Sequence, residues 1–214
     1  MRLLALMLPL AACAEERAPE PAPSGPIVGA VPPEAVTPRP APSPTPSPSP
    51  SASPSRAAAL TAEGWGPLRI GMARAEVERA LGPDADPSAV GRPDPERCDQ
   101  FRPVRAPKDM IVMVEDGRLT RVSLVNGATV ATDRGIRVGA PAAAVRTAYG
   151  DALRSEPHQY VPSPGAYLTY WTGGGAGEVR SPEARGLRYE VGAEGRVKAI
   201  HAGGPSIRYV EGCA

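Results

Sequence analysis

Residues that usually carry chemistry are scarce in this chain of 214 residues, which has three cysteines, two histidines and one phenylalanine. No Cys-x-x-Cys pair is present, so a thiol redox centre or a zinc site has little to build on. Gly-x-Ser-x-Gly is also missing, and with it the sharp turn that presents a nucleophilic serine. His158 and His201 sit in no catalytic motif and read as hydrogen-bonded structural histidines. Glu115-Asp116 and Asp94 with Glu96 read as a turn and a solvated loop rather than a cation site. The glycine run from Gly173 to Gly177 is not followed by Lys-Ser or Lys-Thr, so it reads as a hairpin tip and not a phosphate cradle. Catalytic residues, metal ligands and cofactors are therefore all expected to be none, and the chain is not expected to be an enzyme. Beyond residue 56, twenty Lys and Arg stand against nineteen Asp and Glu, interspersed. That balance leaves no basic stripe for nucleic acid. No apolar stretch after the first approaches the roughly eighteen residues a spanning helix needs.

What is present begins at the amino end. Met1-Arg2 supplies charge, Leu3 to Ala12 an apolar run, and Leu10-Ala11-Ala12-Cys13 closes it. The tetrad resembles the lipobox of bacterial lipoprotein signal peptides. The resemblance implies removal of residues 1–12, diacylation of Cys13, and a membrane anchor in the bacterial cell envelope. Ala14, where an aspartate favours the inner membrane, implies the outer one. The alternative is an ordinary secretory peptide cleaved near Ala12 and Ala14. Between Ala14 and Arg56 lie fourteen prolines, half of the total. Proline lacks the amide donor and fixes φ, so residues 13–56 are expected to form a disordered Pro-rich linker. At about 3.1 Å per residue a polyproline II stalk of this length reaches about 130 Å. A ligand for an SH3-like domain is the competing reading of this segment.

Residues 57–214 are long enough for one domain with its own core. With Cys13 taken by lipid, Cys98 and Cys213 remain, an even pair expected to form a disulfide in an oxidising compartment. A catalytic or metal-binding thiol pair is the alternative.

The domain carries an internal repeat. Leu68-Arg69-Ile70-Gly71-Met72 returns 68 positions later as Ile136-Arg137-Val138-Gly139-Ala140. In the same register Val77 matches Val145, Ala80 matches Ala148, and Gly82 matches Gly150. Each copy reads as a glycine turn, a short helix with one apolar side, and a glycine stop. Pro141 suits the first turn of the second helix. Hairpins follow: 110–114 with 119–125 across Asp116-Gly117, and 186–191 with 197–200 across Glu194-Gly195. Residues 167–171 read as a further strand and 206–210 as a short last one. The expected fold class is α+β, two helix-plus-antiparallel-sheet repeats of about 57–131 and 132–214 behind the linker.

The phrase Ile70-Gly71-Met72, with Val77 and Leu81-Gly82-Pro83 in fixed spacing, resembles the opening motif of the SmpA/OmlA (BamE-like) domain. Proteins of that family are small outer-membrane lipoproteins of the β-barrel assembly machinery. The unit doubled resembles the β-lactamase-inhibitor-protein fold. The resemblance implies a binding or scaffolding role with an envelope protein partner, which it leaves unnamed. Two phrases have no counterpart in that family: His158-Gln159-Tyr160 and Arg208-Tyr209-Val210-Glu211-Gly212-Cys213.

Tyr160, Tyr167, Tyr170 and Trp171 place nearly half of the aromatic supply within twelve residues. By strand alternation Tyr167 and Trp171 share one face and Tyr170 takes the other. The four read either as core filling or as a binding surface for a protein or a glycan. The expected function is a non-catalytic, lipid-anchored protein-binding module. A glycan or peptidoglycan-binding module and a periplasmic enzyme inhibitor are the alternatives.

Overall fold

The computed structural model describes residues 59–88, 94, 96–173 and 181–213. The leader, Cys13 and the Pro-rich linker lie outside the described residues. A short ribbon comes first, β1 (Gly64–Trp65) against β2 (Leu68–Arg69), and then helix α1 (Arg74–Leu81). Three strands follow: β3 (Cys98–Phe101), β4 (Met110–Glu115) and β5 (Arg118–Leu124). After helix α2 (Ala142–Tyr149) come β6 (Leu153–Pro157), β7 (Ala166–Trp171), β8 (Gly186–Val191) and β9 (Val197–Gly203). A 3-10 turn, Gly150–Ala152, follows α2, and another, Pro205–Arg208, follows β9.

The seven strands β3 to β9 form one antiparallel sheet in the order β3-β4-β5-β9-β8-β7-β6. The expectation of an α+β fold with two helix-plus-sheet repeats is therefore overturned. The domain is mostly β, and its two halves share a single sheet. The joint is β5 against β9, with Arg121 opposite Gly203 and Ser123 opposite His201. The helices are too short to form a layer of their own. Each is eight residues long and stops at a glycine with positive φ, Gly82 (87°) and Gly150 (52°). The expected last strand at 206–210 is instead the 3-10 turn, where Pro205 removes a donor from any ladder. Pro141 caps α2 from outside rather than joining its first turn.

The matched phrases do share local hydrogen bonding. The Gly71 N–H donates to Leu119 O (2.7 Å), as Gly139 does to Val197 O (2.8 Å). The Arg118 guanidinium donates to Gly71 O (3.0 Å), as Arg196 does to Gly139 O (2.9 Å). In both halves the glycine turn is thus pinned to the first residues of a hairpin's second strand. Asp116 and Gly117, both at positive φ, make the tight turn between β4 and β5.

Helices and core occupy one face of the sheet. Val77 and Leu81 of α1, and Val145 and Tyr149 of α2, pack with Val112, Val122, Leu168, Leu187, Tyr189 and Ile200. The Tyr149 and Tyr189 hydroxyls bond each other at 2.8 Å, and the Tyr149 ring packs at a tilt against Tyr170, 4.7 Å between centroids.

Candidate functional site

Alternation puts every second residue of the sheet on the face away from the helices, and the two halves differ there. On β4 those positions are Ile111 and Met113, whereas on β8 they are Arg188 and Glu190. The pairing brings Arg188 beside His201 and Thr169, and Glu190 beside Tyr167. Arg121 of β5 and Arg188 of β8 thus place a buried cation on this face in each half. Arg121 and Arg188 are each 4% exposed.

Burial lowers the pKa of both guanidinium groups, that of Arg121 to about 10. Glu190 lies between two imidazoles, with His158 Nε2 at 3.2 Å and His201 Nε2 at 3.9 Å. The neighbouring His201 imidazole, helped by His158 and opposed by burial, holds the Glu190 carboxyl at about 2. His201, 14% exposed in its side chain, is pushed down to about 4 by burial and by the charges of Arg121 and Arg188, against the pull of Glu190. Its Nδ1 meets Ser123 Oγ at 2.8 Å. Serine, histidine and glutamate thus stand in a row, with Ser123 buried within the sheet at 3% exposure. Among the described residues no three His, Cys, Asp or Glu side chains converge as metal ligands.

This arrangement makes the fold sensitive to acid. An unfolded histidine takes its proton near 6.5, whereas His201 resists until about 4. Between those values the unfolded chain binds more protons, so stability falls as pH drops through that window. Glu190 adds a lower window, from 4.5 to about 2. Urea unfolding at stepped pH is expected to show a loss of about 2–3 kcal/mol between pH 6.5 and 4. His201→Gln should flatten that slope; an unchanged slope assigns the loss to other groups.

The segment after β9 is strapped over this face. Arg121 Nη1 donates to the carbonyls of Ser206 (3.2 Å) and Tyr209 (3.1 Å), and Nη2 to Gln100 Oε1 (2.6 Å). Arg188 Nη1 reaches Ile207 O at 3.4 Å. Farther along, Cys213 bonds Cys98 of β3, with Cα atoms 5.5 Å apart.

Between the strap and the loop after β6 lies an open groove of about 790 Å³. Tyr167 and Arg188 form its floor, Glu156 and Gln159 one wall, and Arg208 and Tyr209 the other. The Arg188 guanidinium carbon lies over the Tyr167 ring, 3.8 Å from its centroid, and His158 stacks on that ring at 4.5 Å. Across the mouth the Tyr160 hydroxyl donates to Glu211. Tyr160 (59%), Tyr209 (47%) and Val210 (37%) are three of the four large hydrophobic side chains that stand exposed among the described residues.

Compared with protein-family models, curated proteins and solved structures, the chain matches none.

The four aromatics singled out in the sequence therefore do not make one surface. Tyr167 and Trp171 do share a face but are 4% and 8% exposed. Tyr170 lies on the other face against Tyr149. Only Tyr160 stands in solvent, and Tyr167 shows the groove one side of a packed ring. His158 follows β6 and turns its loop by accepting the N–H groups of Tyr160 (3.0 Å) and Val161 (3.2 Å) at Nδ1. Arg188, Arg208, Tyr209 and Val210 were not expected at a site. The available signal was the pair of phrases without a counterpart in the resembled family, which now stand as the two walls of the groove.

Proposed function

We propose that this protein is a non-catalytic binding module of the bacterial cell envelope, anchored at the outer membrane through acylated Cys13, and that its groove docks a protein partner. The observation that carries the reading is the rim. Tyr160, Tyr209 and Val210 offer apolar area beside Arg208, Glu156 and Glu211, with Arg208 3.7 Å from Glu156. Aromatic and arginine side chains at a partly preformed groove are the usual anchors of protein interfaces. A glycan is the second reading, favoured by the two exposed tyrosine rings at one mouth.

A photo-crosslinker at Val210, in cells, is expected to capture one defined envelope protein. The same group at Val104, which is exposed and away from the groove, should not capture it. Equal capture from both positions sinks the groove as the interface. Cys13→Ser is expected to move the protein from the membrane to the soluble fraction; unchanged fractionation removes the anchor.

A further inference from the structure

The floor of the groove holds more hydrogen-bond capacity than the fold uses. A guanidinium carries five N–H donors. Arg121 spends three hydrogen bonds on the strap and on Gln100. Arg188, equally buried, makes one long bond to Ile207 O at 3.4 Å. Among the described residues no carboxylate lies within ion-pair distance of Arg188; Glu156 and Glu190 act on it only from farther away. The hydroxyl of Tyr167, its ring partner, is buried with no hydrogen-bond partner at all. A buried donor left without an acceptor is costly to the fold. The Tyr167 hydroxyl is such a donor, and the Arg188 N–H groups that the fold does not use border the same open volume, so the two can receive one acceptor together.

We propose that the groove receives a carboxylate carried by a peptide, accepted at its floor by Arg188 and the Tyr167 hydroxyl and at its rim by Arg208. This deepens the protein-docking reading and rests on it. Charge selects the anion. Arg188 and Arg208 against Glu156 leave one positive charge at the groove, matched by a carboxylate. A phosphate dianion would bring one negative charge more than the groove neutralises, towards Glu156. Geometry agrees, because the planar fork of an arginine fits the two oxygens of a carboxylate. Shape agrees as well: Pro157, Tyr209 and Val210 give the flanking residues of a peptide apolar walls.

The test uses the full chain, labelled with nitrogen-15, and the arginine Nε–H resonances. The probes are acetyl-Gly-Ala-Ala with a free carboxyl end, the same tripeptide as its amide, and glucuronate. The free acid is expected to shift the Arg188 signal with saturation near millimolar concentration, and the amide to bind about tenfold more weakly. Arg208→Gln, a change at the exposed rim, should weaken the acid severalfold with the fold intact. Tyr167→Phe removes only the unpartnered hydroxyl, so it should leave urea stability equal or higher while weakening the acid severalfold. Equal response to acid and amide, or an unmoved Arg188 signal, overturns the carboxylate site. Tighter binding of glucuronate than of the tripeptide overturns the peptide occupant. Capture of a partner from Val210 with no response to the tripeptide removes the carboxylate and leaves the docking groove standing. The tripeptide binding while Val210 captures nothing does the reverse.

Discussion

Reduction of the Cys98–Cys213 disulfide is expected to cost about 4–5 kcal/mol of stability, on the chain-entropy scaling for a loop near a hundred residues. The bond spans 115 positions in sequence, and its loop contains all of the sheet from β4 to β9. In the oxidised unfolded chain that loop is already closed; in the reduced chain its closure must be supplied by folding. The strap after β9 rests on two arginines and this bond, so reduction also frees the wall of the groove that carries Tyr209 and Val210. Urea unfolding with and without reductant should give separated midpoints, with Cys98→Ser behaving as the reduced form under both conditions. Coincident midpoints, or two thiols that react with a labelling reagent in the native protein, remove the bond from the account.

Tyr189→Ala should be comparably severe, at about 3–5 kcal/mol, the usual range for emptying a large aromatic site in a core. Tyr189 is fully buried on the helix-facing side of β8, its ring 5.8 Å from that of Tyr149. The substitution leaves a cavity below α2 and strips the Tyr149 hydroxyl of its 2.8 Å partner. Tyr189→Phe separates the two effects. It keeps the packing and loses only the hydrogen bond, at about 1–2 kcal/mol. Midpoints of urea denaturation for the two variants decide the matter. If they are alike, the hydroxyl pair carries the stability and the ring does not.

Local chemistry was legible in the sequence, and pairing at a distance was not. The Asp116-Gly117 turn, the hairpins around it and around Glu194-Gly195, and the glycine stops of both helices all depend on a few adjacent residues. β6 was missed because Leu153-Arg154-Ser155-Glu156-Pro157 has no apolar alternation; it is an edge strand whose last four residues are exposed, blunted by charge and proline. β3 was missed for a similar reason, since Cys98-Asp99-Gln100-Phe101 is short and half polar. The joining of β5 to β9 has no local signature at all. Val122 and Leu124 meet Ala202 and Ile200 because both edges are apolar towards the helices, and many other pairings satisfy that requirement. The repeat therefore pointed to two units, while the edges left open by each unit were satisfied by the other.

The groove was harder still to foresee. Arg188 alternates with Leu187 and Tyr189 like any outward-facing strand residue, and such a pattern normally places a charge in solvent. It is buried here because a proline-broken segment folds back over the sheet. That covering is a tertiary event, and no run of neighbouring residues announces it.

The order of strands also dictates an order of assembly. β9 lies at the middle of the sheet, yet every other strand precedes it along the chain. A polypeptide emerging from its amino end can pair β3 with β4 and β5, and later β6 with β7 and β8. Both partial sheets then wait with a raw edge, β5 in one and β8 in the other, for the same strand to arrive. Closure is a late, long-range step of the kind that makes folding slow. A chain cut off before Val197 keeps two sticky half-sheets and no way to join them, so the unfinished protein is the form most in need of a chaperone.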